Sequence, residues 1–277
     1  MTFGSRLAEA TQTRGRLCVG IDPHPGLLDD WGLTDSVFGL EKFSMTAVEV
    51  FAGVAAVVKP QSAFFERHGS RGIAVLEKVV EGCREQGALV LLDAKRGDIG
   101  STVQAYADAY LDPSSPLAVD AVTASPFLGV GSLDPLVDTA LANGAGVFLL
   151  ALTSNPEGPQ VQHAVTPDGR TVAAHVLDAV ATRNADAEGM GSIGVVVGAT
   201  IIPPTDIGPE HLDVNGPLLV PGIGAQGGTV EDVRRIFGPA CRHVLPSSSR
   251  EILGAGPDRS RLHEAVLRAA DSFASLA

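Results

Sequence analysis

The sequence predicts a (β/α)8 (TIM) barrel with an N-terminal helix, folded as a single domain over residues 1–277. Eight short apolar runs rich in β-branched residues recur along the chain, and each is nearly continuous in apolar residues, as strands buried on both faces are. Amphipathic stretches with helical periodicity lie between these runs. The length of the chain is also usual for eight βα units.

The predicted strands are spaced as βα units should be, with one exception. The step from the fifth strand to the sixth carries an insertion, which begins with the Pro- and Gly-rich segment 153–169. We expect that segment to form a loop at the catalytic end and to be a candidate lid. The predicted strands are 17–22, 55–61, 89–95, 121–126, 146–152, 194–199, 218–223 and 243–248.

Amphipathic helices are expected between the strands and at the start of the chain. Residues 1–16 lack a long apolar core and are typical of an amphipathic helix, not of a signal peptide. No apolar run is long enough to span a membrane, so no membrane partner is expected. Examples of the helical stretches between strands are 41–53, 72–87, 101–111 and 230–238, and the last predicted helix is 258–277.

The alternative fold is a doubly wound open sheet. That fold needs no fixed number of strands and usually has a Gly-rich turn after its first strand. Here the first strand leads into GIDPHP (20–25), which is not such a turn. The count of eight strands therefore favours the barrel.

Charge and cysteine content restrict the partners and the compartment. The formal net charge is −12, and an acidic surface repels phosphate backbones, so nucleic acid is not an expected partner. A small anionic substrate remains possible, because a site can be locally positive on an acidic protein. The three cysteines, Cys18, Cys83 and Cys241, form no CxxC pair, so we expect neither disulfides nor a zinc site, and a reducing cytoplasm fits.

Charged side chains collect at the ends of the first three predicted strands, and active sites of barrels lie at the carboxyl ends of their strands. The residues are Asp22, Lys59, Asp93 and Lys95, with Asp98 just beyond. Asp93 and Lys95 are two residues apart and should point to the same side of their strand. A charge in the helix layer would cost several kcal/mol if unpaired, so the mouth of the lumen is favoured. The alternative is a set of ordinary salt bridges at a strand end.

A second polar cluster follows the seventh and eighth strands, whose loops often bind a phosphate in this fold. The seventh strand leads into PGIGAQGG (221–228) and the eighth into PSSSRE (246–251). Glycines let backbone N–H groups approach an anion, and Arg250 can bind two phosphate oxygens. The alternative is that both segments are flexible connections.

Other polar residues carry weaker signals. The histidines show neither HExxH nor HxH spacing, so no metal site is predicted. The serines 247–249 lack a GxSxG elbow, so none is predicted to be a nucleophile. Four hydroxyl residues on or after the fourth and fifth strands could bind a substrate or could be satisfied within the fold: Thr123, Ser125, Thr153 and Ser154.

These motifs together resemble the orotidine 5′-phosphate decarboxylases. The segment DAKRGDIGST (93–102), with Lys59 upstream in VVKPQSAFFE (57–66), resembles the charged signature of that family. PGIGAQGG and SSSRE resemble its phosphate-binding loops, and GIDPHP and TSNP (153–156) resemble its longer-chain bacterial branch. One departure is Ser101, where the family pattern leads us to expect Asn.

The resemblance implies a role for each residue of the charged cluster. Asp22 and Lys59 would hold the ribose hydroxyls, and Asp93 would lie against the substrate carboxylate. Lys95 would deliver a proton to the carbon that loses carbon dioxide. Arg96 would have a structural role only.

The resemblance also implies contacts at the edges of the site. Asp98 and Thr102 would reach across the interface of a homodimer into the site of the partner. Ser154 would contact the pyrimidine edge. The phosphate would be held by Arg250 and Gln226 and by backbone N–H groups near Gly222 and Gly224.

The implied reaction converts orotidine 5′-monophosphate to uridine 5′-monophosphate and carbon dioxide in pyrimidine biosynthesis, without a cofactor or a metal. Two alternatives remain open at this point. Sugar-phosphate decarboxylases and hexulose-phosphate synthases of the same suprafamily share the charged signature, but they are metal-assisted. The other alternative is a barrel that binds a nucleotide without catalysis. The charged cluster argues against it, because a protein that only binds has no need for a carboxylate facing an anionic ligand.

Overall fold

The computed structural model describes residues 1–223 and 227–276. Eight parallel strands close into a barrel in which each strand pairs with its neighbours in sequence and β1 pairs with β8. This confirms the predicted fold class. The strands are β1 Cys18–Ile21, β2 Val57–Pro60, β3 Leu89–Arg96, β4 Ala121–Ala124, β5 Gly146–Leu152, β6 Ile193–Val197, β7 Leu218–Pro221 and β8 Val244–Ser248.

Helices cover the outside of the barrel, and α1, α3, α5, α6, α10 and α12 overlap those named from the sequence, whereas α7 and α9 were not named there. In the described ranges, no helix has the length and apolar character needed to cross a membrane. The helices are α1 Phe3–Arg14, α2 Pro25–Asp30, α3 Val37–Phe51, α4 Ser62–Glu66, α5 Gly69–Glu85, α6 Gly100–Leu111, α7 Asp134–Ala142, α8 Pro159–Gln162, α9 Val172–Arg183, α10 Val230–Phe237, α11 Arg250–Leu253 and α12 Arg259–Phe273.

Helix α1 closes the amino-terminal end of the barrel. Its side chains Phe3 and Leu7 are buried in the cluster that fills the lumen. The Phe3 ring meets the Phe148 ring edge to face, with 6.0 Å between the ring centroids. Arg6 anchors the helix through an ion pair with Asp120. The lumen is therefore sealed at this end, and the site lies at the other.

Strand β3 departs from regular geometry where it reaches the carboxyl end of the barrel. Its pairing with β4 shifts register between Leu92 and Arg96, and Lys95 has a φ of 50°. A non-glycine residue in this left-handed region costs about 1 kcal/mol or more, and such strain often marks a functional site. The Lys95 N–H donates to Thr123 Oγ1 over 3.0 Å, which supports this backbone conformation.

The insertion between β5 and β6 is folded. After β5 the chain forms the short helix α8, and an antiparallel bridge then joins Val165 to Thr171 ahead of α9. The buried Thr171 donates its N–H to Asp206 Oδ2 over 2.8 Å, which ties the insertion to the β6–β7 connection. The segment predicted as a loop thus contains helix α8, which contacts the residue that follows β5.

Candidate active site

A cavity of about 340 Å³ opens at the carboxyl ends of the strands. It brings together side chains from the first three strands, the end of β5 and the loops after β7 and β8. Two of the predicted residues, Gly224 and Gln226, lie outside the described residues. The predicted residues that line the cavity are Asp22, Lys59, Asp93, Lys95, Ser154, Gly222 and Arg250.

Asp93 is the centre of the charged cluster. Its Oδ1 accepts hydrogen bonds from Lys95 Nζ over 2.6 Å and from Thr123 Oγ1 over 2.8 Å. Its Oδ2 accepts from Lys59 Nζ over 3.3 Å. Gln61 donates to the Asp93 carbonyl over 3.1 Å. Asp93 is therefore fixed between two ammonium groups at the mouth of the lumen.

Burial and neighbouring charges oppose each other in this cluster. Burial by itself would raise the pKa of Asp93, but Lys59 and Lys95, together with hydrogen bonds from Lys95 and Thr123, lower that pKa to about 2. Burial by itself would lower the pKa of Lys59, but the carboxylates of Asp22 and Asp93 raise it well above its ordinary value. Both groups are therefore charged at neutral pH.

Asp22 presents a buried oxygen toward the same end of the barrel. Within the described residues, its Oδ1 and the Ser249 Oγ are buried and have no hydrogen-bond partner. A buried carboxylate oxygen without a donor is costly, so a donor from a bound molecule would be strongly favoured. Gly20 lies beneath both residues, and a Cβ at Gly20 would lie 2.7 Å from the Ser249 Cβ. Glycine at position 20 therefore permits this close approach.

The side of the cavity where the sequence predicts phosphate binding is lined by residues after β7 and β8. Gly222 has a φ of 94°, and its carbonyl accepts from the Gly228 N–H over 3.1 Å, so these two glycines lie close together. Arg250 is exposed at the start of α11 and lines the cavity. Arg250 and Gly222 therefore lie on the side of the cavity where the sequence predicts phosphate binding.

Two predicted residues, Asp98 and Thr102, do not line the cavity of their own chain. Asp98 Oδ1 accepts from the Ile99 N–H over 2.8 Å, and Thr102 is exposed on α6. Ile99 is itself 61% exposed, and Phe127 on the β4–α7 connection is 74% exposed. Asp98 thus lies beside an exposed apolar side chain, that of Ile99.

Arg96 points away from the cavity, as its predicted structural role requires. It forms an ion pair with Glu66, and its Nε donates to the Tyr110 hydroxyl over 3.3 Å. Its guanidinium lies 5.6 Å from the centre of the Tyr106 ring. These contacts hold Arg96 against α4 and α6.

Thr123 is one of the four hydroxyl residues that sequence reasoning left undecided. It lies next to Asp93 because β4 pairs with β3 at Leu92 and Val122, one residue earlier in each strand. The only sign in the sequence was a hydroxyl residue on the next strand. To place it beside Asp93 one must know how β3 and β4 are aligned. Across residues 1–223 and 227–276, no group of three His, Cys, Asp or Glu side chains is arranged to hold a metal ion.

The fold and the site define a barrel enzyme for an anionic substrate, with a carboxylate held between two lysines and an arginine across the cavity. The chain belongs to the orotidine 5′-phosphate decarboxylase / HUMPS family, whose sequence model matches residues 15–265.

Similar proteins cover the full length of the chain. It is 62% identical over 276 residues to the orotidine 5′-phosphate decarboxylase of a Nocardioides species, covering 99% of each chain. It is 60% identical to that of Salinispora arenicola, covering 99% of this chain and 98% of the relative. A Streptomyces avermitilis crystal structure matches with a TM-score of 0.95 and 57% identity, covering 99% of this chain and 95% of that chain. Leishmania donovani OMP decarboxylase matches with a TM-score of 0.76 and 29% identity, covering 99% of both chains.

Proposed function

We propose that this chain decarboxylates orotidine 5′-monophosphate to uridine 5′-monophosphate in pyrimidine biosynthesis, without a cofactor. The observation that carries the proposal is the Lys59–Asp93–Lys95 array at the mouth of the barrel. Family membership and the names of the full-length relatives support it.

Lys95 would stabilise and protonate the carbanion that the reaction forms. The bond from the ring carbon to the carboxylate breaks, carbon dioxide leaves, and the electron pair stays on the ring carbon, where no carbonyl is placed to delocalise it. An ammonium group beside that carbon stabilises the negative charge and then transfers its proton to it. The Lys95 side chain is 45% exposed, so its Nζ can meet a bound substrate.

Asp93 would oppose the substrate carboxylate. Two like charges about 4 Å apart repel by roughly 4 kcal/mol at an effective dielectric constant of 20. This repulsion is present before carbon dioxide leaves and is relieved as it leaves, so it favours bond cleavage. Lys59 and Thr123 would keep Asp93 ionised and fixed during this step.

The rest of the cavity would bind the nucleotide away from the reacting carbon. Asp22 and Lys59 would hold the ribose hydroxyls, and the unpartnered Asp22 Oδ1 supports this role. Ser154 would contact the pyrimidine edge. The phosphate would be bound by Arg250 and Gln226 and by backbone N–H groups near Gly222 and Gly224.

We further propose a cytoplasmic homodimer of single-domain chains with shared active sites. Asp98 and Thr102 lie outside the cavity of their own chain, so each would complete the site of the partner. The exposed apolar side chain of Ile99, next to Asp98 in the chain, would be covered in the dimer. A second copy of the chain is the expected occupant of this surface.

The principal alternative is a metal-assisted reaction on an open-chain sugar phosphate. The family name covers both activities, so family membership alone does not separate them. The relatives at 60% and 62% identity carry the orotidine 5′-phosphate decarboxylase name, which favours the nucleotide reaction.

Replacement of Lys95 tests the proposed chemistry. Lys95→Ala should abolish turnover of orotidine 5′-monophosphate, because the proton donor and the charge beside the carbanion are both lost. The decrease in substrate ultraviolet absorbance measures the rate, and circular dichroism checks the fold. Lys42→Ala, at an exposed position of α3, is the matched control and should retain wild-type activity. Substantial activity in Lys95→Ala would refute the assigned role.

A further inference from the structure

We propose that Gln162 is a positioning residue that holds the end of β5 so that Ser154 meets the pyrimidine edge of the substrate. The proposal rests on the proposed function, because it concerns recognition of the base at that site. Gln162 itself does not line the cavity that holds the charged cluster. It would act through its contacts with Thr153, the residue between β5 and Ser154.

Gln162 and Thr153 form a reciprocal pair of hydrogen bonds. Gln162 Oε1 accepts from the Thr153 backbone N–H over 2.9 Å, and Gln162 Nε2 donates to Thr153 Oγ1 over 2.7 Å. Thr153 Oγ1 in turn donates to Asn155 Oδ1 over 2.6 Å. One side-chain amide therefore fixes both the backbone and the side chain of the residue before Ser154.

The other side of this strand end is fixed by the neighbouring strand. The Leu152 carbonyl accepts from the Gly198 N–H over 2.8 Å. A Cβ at Gly198 would lie only 3.0 Å from the Ser154 Cβ, so Ser154 packs closely over that glycine. Because Gly198 limits Ser154 on one side and Gln162 holds Thr153 on the other, the orientation of Ser154 depends on both.

Gly158 lets the helix that carries Gln162 approach the strand end. A Cβ at Gly158 would lie 2.9 Å from Thr153 Oγ1 and 3.1 Å from Gln162 Oε1, within the hydrogen-bonded pair. Gly158 also closes the turn through its N–H, which donates to the Asn155 carbonyl over 3.1 Å. The insertion after β5 is therefore shaped to bring an amide side chain to Thr153.

The same residues separate two cavities. Thr153 and Asn155 line the substrate cavity and also a neighbouring cavity of about 410 Å³, which is walled by apolar side chains such as Phe127 and Val161. Loss of the Gln162 contacts would loosen the wall between them on the side where the base would bind. The effect should therefore fall on base recognition and spare the distant phosphate.

The experiment compares binding of uridine 5′-monophosphate with binding of ribose 5-phosphate, which lacks the base. Gln162→Leu should weaken uridine 5′-monophosphate binding by about tenfold, since it removes two hydrogen bonds, and should leave ribose 5-phosphate binding within about twofold. KM for orotidine 5′-monophosphate should rise more than kcat falls. Gln162→Glu, which keeps the acceptor for the Thr153 N–H, should lie between Leu and the wild type. Gln160→Leu, at an exposed position of the same short helix, is the control.

Three results would overturn the proposal. Unchanged binding of uridine 5′-monophosphate by Gln162→Leu would show that Gln162 does not position the base contact. An equal loss of affinity for both ligands would show a general structural role. So would a Gln162→Glu variant that binds uridine 5′-monophosphate no better than Gln162→Leu does. Gly158→Ala provides an independent variant and should reproduce the base-specific loss. A wild-type protein that fails to turn over orotidine 5′-monophosphate would instead refute the proposed function.

Discussion

At the scale of single residues, the ionisation of Asp93 links stability to the chemistry. The carboxylate is 8% exposed and lies between Lys59 and Lys95, with a hydrogen bond from Thr123. Removal of one member of a buried charged set is costly because the remaining charges lose their partners. The same contacts that hold Asp93 charged, as the proposed reaction requires, therefore also stabilise the folded chain.

The lowered pKa of Asp93 predicts how stability depends on pH. A carboxylate with a folded pKa near 2 and an ordinary value of 3.8 contributes about 2 kcal/mol above pH 3.8, and this contribution is lost as the pH falls through that interval to 2. Urea denaturation between pH 5 and pH 2 should show this loss in the wild type and not in Asp93→Asn. Asp108→Asn, at an exposed position of α6, should behave like the wild type. Parallel curves for the wild type and Asp93→Asn would contradict the prediction.

The sequence predicted that Asp93 and Lys95 lie close together, but not the backbone conformation that brings them together. Asp93 and Lys95 were expected on one side of their strand, and the structure places their side chains 2.6 Å apart. The backbone reaches this arrangement through a positive φ at Lys95 and a register shift, which alternation does not predict. The role of Thr123 could not be predicted, because the pairing of β3 with β4 sets it.

At the scale of elements, six α-helices of the described residues were not named from the sequence, and four of them are very short. α2, α4, α8 and α11 have between four and six residues, too few to show helical periodicity. The longer α7 and α9, with nine and twelve residues, were not named either. The other long helices overlap predicted ones, because several turns reveal an apolar face. Gln162 lies on one of the short helices, so its contact with Thr153 had no signal in the sequence pattern.

Helix α1 should stabilise the barrel without contributing to the reaction. Phe3 is buried at the amino-terminal end of the lumen, so Phe3→Ala should lower the free energy of unfolding by about 3 kcal/mol. Urea denaturation measures this change, and Glu9→Ala, on the exposed face of α1, should change it by less than about 0.5 kcal/mol. KM should stay close to that of the wild type, because the site lies at the opposite end. A large loss of substrate affinity with no loss of stability would contradict this division of roles.

At the scale of the whole molecule, the order of strands was predictable because each apolar run carries its own βα unit. The closed parallel barrel follows from eight such units. A net charge of −12 gave no direct indication of the site, since the cations that define it are local to the mouth of the barrel. The proposed partner contact rests on the resemblance alone, because the sequence of one chain does not show whether a second copy binds to it.

The proposed shared sites predict complementation between two inactive variants. A hybrid of Lys95→Ala with Asp98→Ala has one site with both defects and one site with neither. After subunit exchange in an equal mixture, half of the dimers are hybrids, so activity should recover to about a quarter of the wild-type value. The absorbance assay measures this recovery, and each variant alone is its control. A mixture that stays as inactive as its components, or a fully active Asp98→Ala, would contradict shared sites.

The most direct test of the central claim is turnover of orotidine 5′-monophosphate by the purified wild-type protein in the presence of a chelator. The account predicts that the ultraviolet absorbance of the substrate falls at the same rate with and without the chelator, with no cofactor added. Absence of turnover, or turnover that stops with the chelator and returns with magnesium, would contradict it.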